Sequence, residues 1–501
     1  MADDLARASS RGVFVTLGGF VSRSLLQLGS VVVLSRLLTP EDFGLIAMIM
    51  AIVGVADLVR DFGLTGAILQ RKNIAKPEWQ GLAWLSTGFG LLLGILLAAG
   101  APLVATLYNE PRLVPLTLAL APTLLLNGLS APIQARIQRD LRFSTLASIE
   151  VMHMLVGVAL AIGAALLGWG AWALVVQTGA GQIYRMVALC VASPPSFGRL
   201  RITRDVVDIV QVGRDLLGMQ LLNYASRNVD NVLIGNQLGP ATLGQYSRAY
   251  SLFLLPMQQL NATIGRVAVP ILSRLQDDPE RYRRYIRAGS RVIGYFTVPV
   301  YAVLAAVAAP LIRTLLGEKW DEAAVLFSIL SIAGVAQAMG NMQGWIYLTL
   351  GRTRTQFVFF LITRPLIIAG FAVGLWLDGV RGLAWAYSLL SMVLLIPGYH
   401  YALRGSHVRW RDVFGPMLRP TVITPLCFAT AWAAVQANPT QPALIQLILG
   451  SLAGFAPLAA SLAVPAFRRD FLAVIEYAKK ARERPPTPPA KDPLGGIDGE
   501  A

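Results

Sequence analysis

The chain has 501 residues, 55% of them hydrophobic and only 14% charged, with a mean hydropathy of +0.58. That composition excludes an ordinary soluble domain, in which roughly a quarter of the residues are charged. The formal net charge of +15 does not point to nucleic acid, because the basic residues alternate by loop instead of forming one basic face.

A transmembrane helix needs roughly 20 predominantly apolar residues. Runs of that kind predict an all-α polytopic membrane protein of about fourteen spans. They cover residues 12–37, 43–68, 79–101, 113–134, 146–167, 170–192, 207–237, 244–272, 290–315, 322–350, 356–377, 380–402, 413–436 and 442–466. The first run carries Arg23 and Arg36 and is too long for a cleaved signal peptide, so it reads as span one.

Several spans contain polar residues on one face. In the first, Arg23, Gln27 and Ser30 recur at helical spacing, and the second carries Asp57, Arg60 and Asp61, with Arg60 one turn after Asp57. The seventh holds "NYASRNVDNVLIGN", where Gln220, Asn223, Arg227, Asp230 and Asn231 share a face. Further along come Arg248, Gln259 and Arg266 in the eighth span, Gln337 and Asn341 in the tenth, and Arg364 in the eleventh.

A charge at the bilayer centre costs about 2.5–3.5 kcal/mol even on the mildest scale, so such residues face a watery cavity or a partner. Arg36, Arg185, Arg214, Arg266, Arg313 and Arg419 lie near span ends, where the side chain can reach the interface. Arg23, Arg60, Arg227 and Arg364 lie deeper. For each, an interhelical hydrogen bond or ion pair stands as an alternative to a place in a cavity.

Cys190 and Cys427 each sit inside an apolar run, and His153, His400 and His407 show no ligand spacing, so no disulfide framework, metal centre or cofactor is expected. After the last span, Phe467, Phe471, Val474 and Tyr477 recur among basic residues over 467–484, predicting an interfacial helix, and 485–501 read as a disordered tail.

Orientation follows from the basic residues. Clusters such as Arg136, Arg139 and Arg142, or Arg281, Arg283, Arg284 and Arg287, follow even-numbered spans; the opposite loops hold Arg112, Lys319 and Arg381. The positive-inside rule places both termini in the cytoplasm, with the clusters attracted to anionic lipid.

The sequence also repeats. A shift of 200 lays "VLSRLLTPEDFG" on "LIGNQLGPATLG", and a shift of 208 lays "APLVATLYNE" on "APLIRTLLGE" with six identities in ten positions. Six spans separate each pair, which predicts a parallel repeat of two six-helix lobes around a central cavity. The expected divisions are lobes at 1–200 and 201–405 and an additional helix pair at 406–466. Symmetry is inexact, since a shift of 200 pairs Arg227 with Gln27 and Arg23 with Asn223.

The segments "SRSLLQLGSVVVLSRLLTPEDFGLIAM" and "DLVRDFGLTGAILQRK" resemble the amino-terminal signature of Wzx-type polysaccharide flippases. These belong to the multidrug/oligosaccharidyl-lipid/polysaccharide exporter superfamily. The likeness is to the branch serving lipopolysaccharide, teichuronic and colanic-type polymers, and spans one to twelve follow its order. It implies a non-enzymatic flippase in a bacterial cytoplasmic membrane. Such a protein moves an undecaprenyl-diphosphate-linked oligosaccharide from the inner to the outer leaflet by alternating access.

On that reading Arg23, Gln27, Arg60, Asn223, Arg227, Asn231, Arg248, Gln259, Gln337, Asn341 and Arg364 line the cavity, since guanidinium forks suit phosphate and amides suit sugar hydroxyls. Asp57, Asp61 and Asp230 are the candidates for a coupling H⁺ or Na⁺, and a polysaccharide polymerase with its chain-length machinery is a partner to be considered. A lipid II flippase, a multidrug extruder and a membrane-embedded polymerase or ligase are the competing readings. An extruder of organic cations would favour acids over arginines, and a polymerase commonly needs a large outer loop, which this sequence lacks.

Overall fold

The structure, a computed structural model, describes residues 23–61, 76–194, 198 and 204–482. Within these residues the regular structure is all helical. In chain order the helices are α1 (23–37), α2 (Pro40–Asp61), α3 (Lys76–Ala99), α4 (Ala101–Tyr108), α5 (Leu113–Leu120), α6 (Pro122–Arg139), α7 (Phe143–Leu166) and α8 (Trp172–Ala192). They continue as α9 (Arg204–Arg274), α10 (Pro279–Phe296), α11 (Val298–Ala306), α12 (Ala308–Leu315), α13 (Asp321–Thr349), α14 (Thr353–Leu403), α15 (Trp410–Gln436), α16 (Ala443–Ser461) and α17 (Pro465–Arg482).

Ten helical stretches among the described residues are long and apolar enough to cross a membrane. The fourteen expected from sequence also count both arms of α9 and of α14, together with a first run that lies partly outside the described residues. Neither long helix is straight. The 71 residues of α9 would reach about 106 Å at 1.5 Å per residue, but Gly239, at φ 78°, breaks its helical path. Asp378 and Gly379 break α14 in the same way, the glycine at φ 54°. The two arms of α14 then lie against one another, where a β-carbon on Gly374 would come within 2.4 Å of the Gly382 carbonyl oxygen.

The repeated decapeptides fold alike. Each becomes an eight-residue helix, α4 and α12. Each begins at a break in the preceding helix and is followed within two residues by one with positive φ, Asn109 at φ 52° and Gly317 at φ 100°. A proline early in each segment, Pro102 or Pro310, has no N–H to continue the helix before it.

The other repeated motif forms a contact. A β-carbon on Gly44 would lie 1.7 Å from the Pro240 carbonyl oxygen, and one on Gly244 would lie 1.7 Å from that of Pro40. When residue i touches j and the mate of i touches the mate of j, the two segments are related by a local two-fold. Small residues are what allow helix backbones to approach this closely within a membrane. Around this crossing a single buried cluster joins Leu38, Phe43 and Met48 to Ile234, Tyr246, Phe253 and Trp320.

At the opposite, arginine-rich end, α10 buries Tyr282, Ile286 and Ile293 on one face and exposes Arg281, Arg284 and Arg287 on the other. Asp278 caps its first turn by accepting the Arg281 N–H. Asp470 of α17 is held by Arg291 at 3.2 Å and Arg419 at 2.6 Å, which ties the last helix to α10 and α15.

Gly44→Ala and Gly244→Ala should each cost on the order of 3 kcal/mol, because the added carbon meets backbone that cannot rotate away. Gly163→Ala, where a β-carbon meets nothing within 4 Å, should change stability by less than about 0.5 kcal/mol. Thermal unfolding of the purified protein in detergent measures both. Equal Tm values for all three variants would show that the crossing is not close-packed.

Candidate functional site

The polar residues of α9, α13 and α14 converge on one cavity of about 250 Å³. Arg227 and Asp230 reach it from the first arm of α9 and Tyr250 from the second; Gln337 and Asn341 come from α13, and Phe360, Arg364 and Tyr387 from α14. Spacings of three and four residues put each set on one helix face. Phe360 and Arg364, one turn apart, also stack, with the guanidinium carbon 4.9 Å from the ring centroid.

The two arginines differ from the aspartate in what they touch. Asp230 is only 3% exposed; its carboxylate accepts the Tyr246 hydroxyl at 2.7 Å and the Asn231 N–H at 2.9 Å. It makes no ion pair with Arg227 among the described residues. Arg227 is exposed and Arg364 half-buried, both at the cavity wall, and neither has a carboxylate partner among the described residues. The lining is also aromatic. Tyr250 and Tyr387 hydroxyls lie 3.4 Å apart, the Gln337 amide donates to Tyr387 at 2.5 Å, and the Phe371 ring lies 5.7 Å from that of Tyr387.

Other residues singled out in the sequence lie elsewhere. Arg60 pairs with Asp57 at 3.2 Å, and Asn127 of α6 donates to the same carboxylate at 3.1 Å. This pair ties α2 to α6. Arg248 lies over the Phe43 ring at 4.1 Å, within the crossing between the repeats. Asn231 donates to Asn228 at 3.3 Å, and Gln27 is exposed. Arg23 is exposed and lies 3.5 Å from Glu150. The side chains of Asn223, Gln259 and Asp61 fall outside the described residues.

Glu150, Tyr246, Tyr250, Phe360 and Tyr387 are residues that the sequence reading missed. Glu150 also takes Arg185 at 3.0 Å, while Arg185 donates to Gln134 at 2.5 Å. A lone acid inside the apolar run 146–167 was the available signal for Glu150. For the tyrosines there was none, since an aromatic residue in a greasy helix is ordinary.

Ion pairs also dress the arginine-poor end of the bundle. Arg313 pairs with Asp321 at 2.8 Å and Arg381 with Glu322 at 2.7 Å. In the loop before α5, hydrogen bonds from Arg112 hold the Glu110 carboxyl below the usual range, so it stays ionised at neutral pH.

The family described as polysaccharide biosynthesis protein matches residues 33–325. The chain is 26% identical over 389 residues to the lipopolysaccharide biosynthesis protein WzxC of Escherichia coli (strain K12), covering 76% of this chain and 77% of that protein. It is likewise 26% identical over 376 residues to the teichuronic acid biosynthesis protein TuaB of Bacillus subtilis (strain 168), covering 74% and 77%. Among solved structures, the inward closed lipid II flippase MurJ superposes with a TM-score of 0.71 over 92% of this chain and 100% of that one, at 15% identity. An inward-facing multidrug resistance MATE family transporter gives 0.61, at 15% identity, over 76% and 94%. The fold is the one these transporters share.

Tyr246→Phe should cost about 1–3 kcal/mol by leaving a buried carboxylate oxygen without its donor. In a double-mutant cycle with Asp230→Asn, thermal unfolding should show coupling of about 1 kcal/mol or more. Strictly additive losses would mean that the bond between the two arms of α9 contributes nothing.

Proposed function

The chain belongs to the family of polysaccharide biosynthesis proteins, and from that premise we propose that it is a flippase for lipid-linked oligosaccharide. It carries an undecaprenyl-diphosphate-linked oligosaccharide from the inner to the outer leaflet of a bacterial cytoplasmic membrane. The observation that carries this reading is Arg227 and Arg364 at one cavity wall with no carboxylate partner among the described residues. Two guanidinium groups kept at such depth suit an anionic ligand, and their planar forks match phosphate oxygens.

The rest of the wall suits sugar. Gln337, Asn341, Gln343 and Gln356 offer amides to hydroxyl groups, and Phe359, Phe360 and Tyr250 offer apolar faces. At about 250 Å³ the cavity is smaller than ordinary ligand pockets of roughly 300–1,000 Å³. It therefore holds the diphosphate and the first sugar, with the rest of the oligosaccharide outside it. Names of relatives agree, since one is a succinoglycan biosynthesis transport protein from Rhizobium meliloti (strain 1021). The fold shared with MurJ makes lipid II the second reading, because lipid II carries the same diphosphate.

Fourteen spans arranged as lobes at 1–200 and 201–405, a helix pair at 406–466, and cytoplasmic termini complete the proposal. α17 lies at the cytoplasmic interface on this reading. Transport is by alternating access of the two lobes. Asp230 is the leading site for a coupling H⁺ or Na⁺, because its described partners are a neutral hydroxyl and a backbone N–H. Asp57 already has Arg60. The polymerase with its chain-length machinery would take the product.

Deletion should make lipid-linked oligosaccharide accumulate in the inner leaflet and remove surface polymer. Arg227→Ala and Arg364→Ala should each lower export about 10- to 100-fold, the loss of one charge-assisted bond, with membrane insertion unchanged. Radiolabelled lipid intermediates and polymer immunoblots read both effects. Normal surface polymer in both variants would overturn the assignment of this cavity.

A further inference from the structure

At the arginine-poor end, α1 and α12 finish side by side, and each is capped by a cation from the other repeat. Arg36 donates through Nη2 to the Thr314 carbonyl at 2.5 Å and through Nε to the Leu315 carbonyl at 3.4 Å. Lys319 Nζ returns bonds to the Arg36 carbonyl at 3.0 Å and the Leu38 carbonyl at 2.5 Å. The Trp320 indole donates to the Ser35 carbonyl at 2.9 Å. The last carbonyls of a helix lack partners within it and carry the negative end of its dipole, so they attract cations.

The repeat makes the same seal a second time without charge. Asn236, 200 residues after Arg36, donates to the Leu107 carbonyl at 2.5 Å, and Leu107 stands 208 residues before Leu315. An amide is therefore enough to close this end. The two cations on the other side go beyond what closure requires.

A cleft of about 670 Å³ opens beside them, between residues 313–319 and 439–446. Its lining includes Arg36, Arg313 and Lys319, with Glu318 as the acidic member. Arg313 is balanced by Asp321 through bonds of 2.8 and 3.0 Å. Arg36 and Lys319 are exposed and give their donors to neutral carbonyls.

We propose that this cleft is a phosphate site whose occupant takes Arg36 and Lys319 from the opposite repeat's carbonyls and so unlatches the closed end. A bond to a charged oxygen is roughly twice as strong as one to a neutral carbonyl, so a phosphate or diphosphate competes well for both donors. The physiological ligand rests on the flippase reading; the chemistry of the site does not. Two sources carry that chemistry: the diphosphate of the polyprenyl-linked substrate and the phosphate of a bilayer lipid whose head group bears a net negative charge.

The test uses the full chain with Cys190→Ala and Cys427→Ala, spin-labelled at Thr106→Cys and Asp378→Cys, exposed positions of the two repeats at this end. In phosphatidylcholine nanodiscs, millimolar pyrophosphate should raise the long-distance population at least threefold by double electron–electron resonance. Arg36→Gln/Lys319→Gln, which keep amide donors for the carbonyls, should stay closed and give no response; Lys319→Gln alone should need about tenfold more pyrophosphate. No response in the parent, or a full response in the double variant, overturns the site. Opening in phosphatidylglycerol nanodiscs without pyrophosphate assigns the lipid head group. Opening by undecaprenyl diphosphate in phosphatidylcholine assigns the substrate. A flat response alongside export lost in Arg227→Ala removes this site and leaves the flippase reading in place. A normal response with normal export in Arg227→Ala and Arg364→Ala does the reverse.

Discussion

Where Gly44 meets the carbonyl of Pro240 and Gly244 meets that of Pro40, two backbones touch with no side chain between them. Lipid is as apolar as the helices it surrounds, so burial of apolar surface gives little drive for helices to associate in a membrane; close packing and hydrogen bonds must supply it. This crossing supplies the packing. It sets α2 against α9, brings the Phe43 ring to 5.6 Å from that of Trp320, and puts Arg248 over the Phe43 ring at 4.1 Å. It also brings the ends of α1 and α12 close enough for cations of one repeat to cap the other.

Once that end is fixed, the charges inside the bundle sort by whether they have found a partner. Arg60 has Asp57, Arg185 has Glu150, Arg313 has Asp321 and Arg419 has Asp470. Each pair links two elements or two turns and is explained by packing. Arg248 uses an aromatic face instead. Among the described residues Arg227 and Arg364 stand without a carboxylate, and they share a cavity with amides and aromatic rings. An apolar bundle keeps such groups only where water or a ligand can reach them.

Asp230 illustrates how that sorting depends on three dimensions. On the helix it stands one turn from Arg227, and spacing alone makes the two natural partners. The hairpin at Gly239 instead brings Tyr246 to its carboxylate. Arg227 is thereby left to the cavity, and the acid stays buried without a neutralising cation among the described residues.

Much of the architecture could be read directly from the sequence. Apolar runs of membrane length, the alternation of arginine by loop, and two matched segments at shifts of 200 and 208 gave helices, hairpins and a parallel repeat. These are local or periodic properties, and a bilayer leaves a chain few other ways to satisfy its backbone. Four of the residues expected to line a cavity, Arg227, Gln337, Asn341 and Arg364, lie on one cavity together with the candidate ion site Asp230, because helical spacing fixes which face each occupies. Which faces would meet was beyond the sequence. That Arg248 turns to Phe43, that Glu150 gathers Arg185 and Arg23, and that Lys319 caps the end of α1 depend on contacts between residues up to 283 positions apart. Only the packing of one repeat on the other brings those residues within reach.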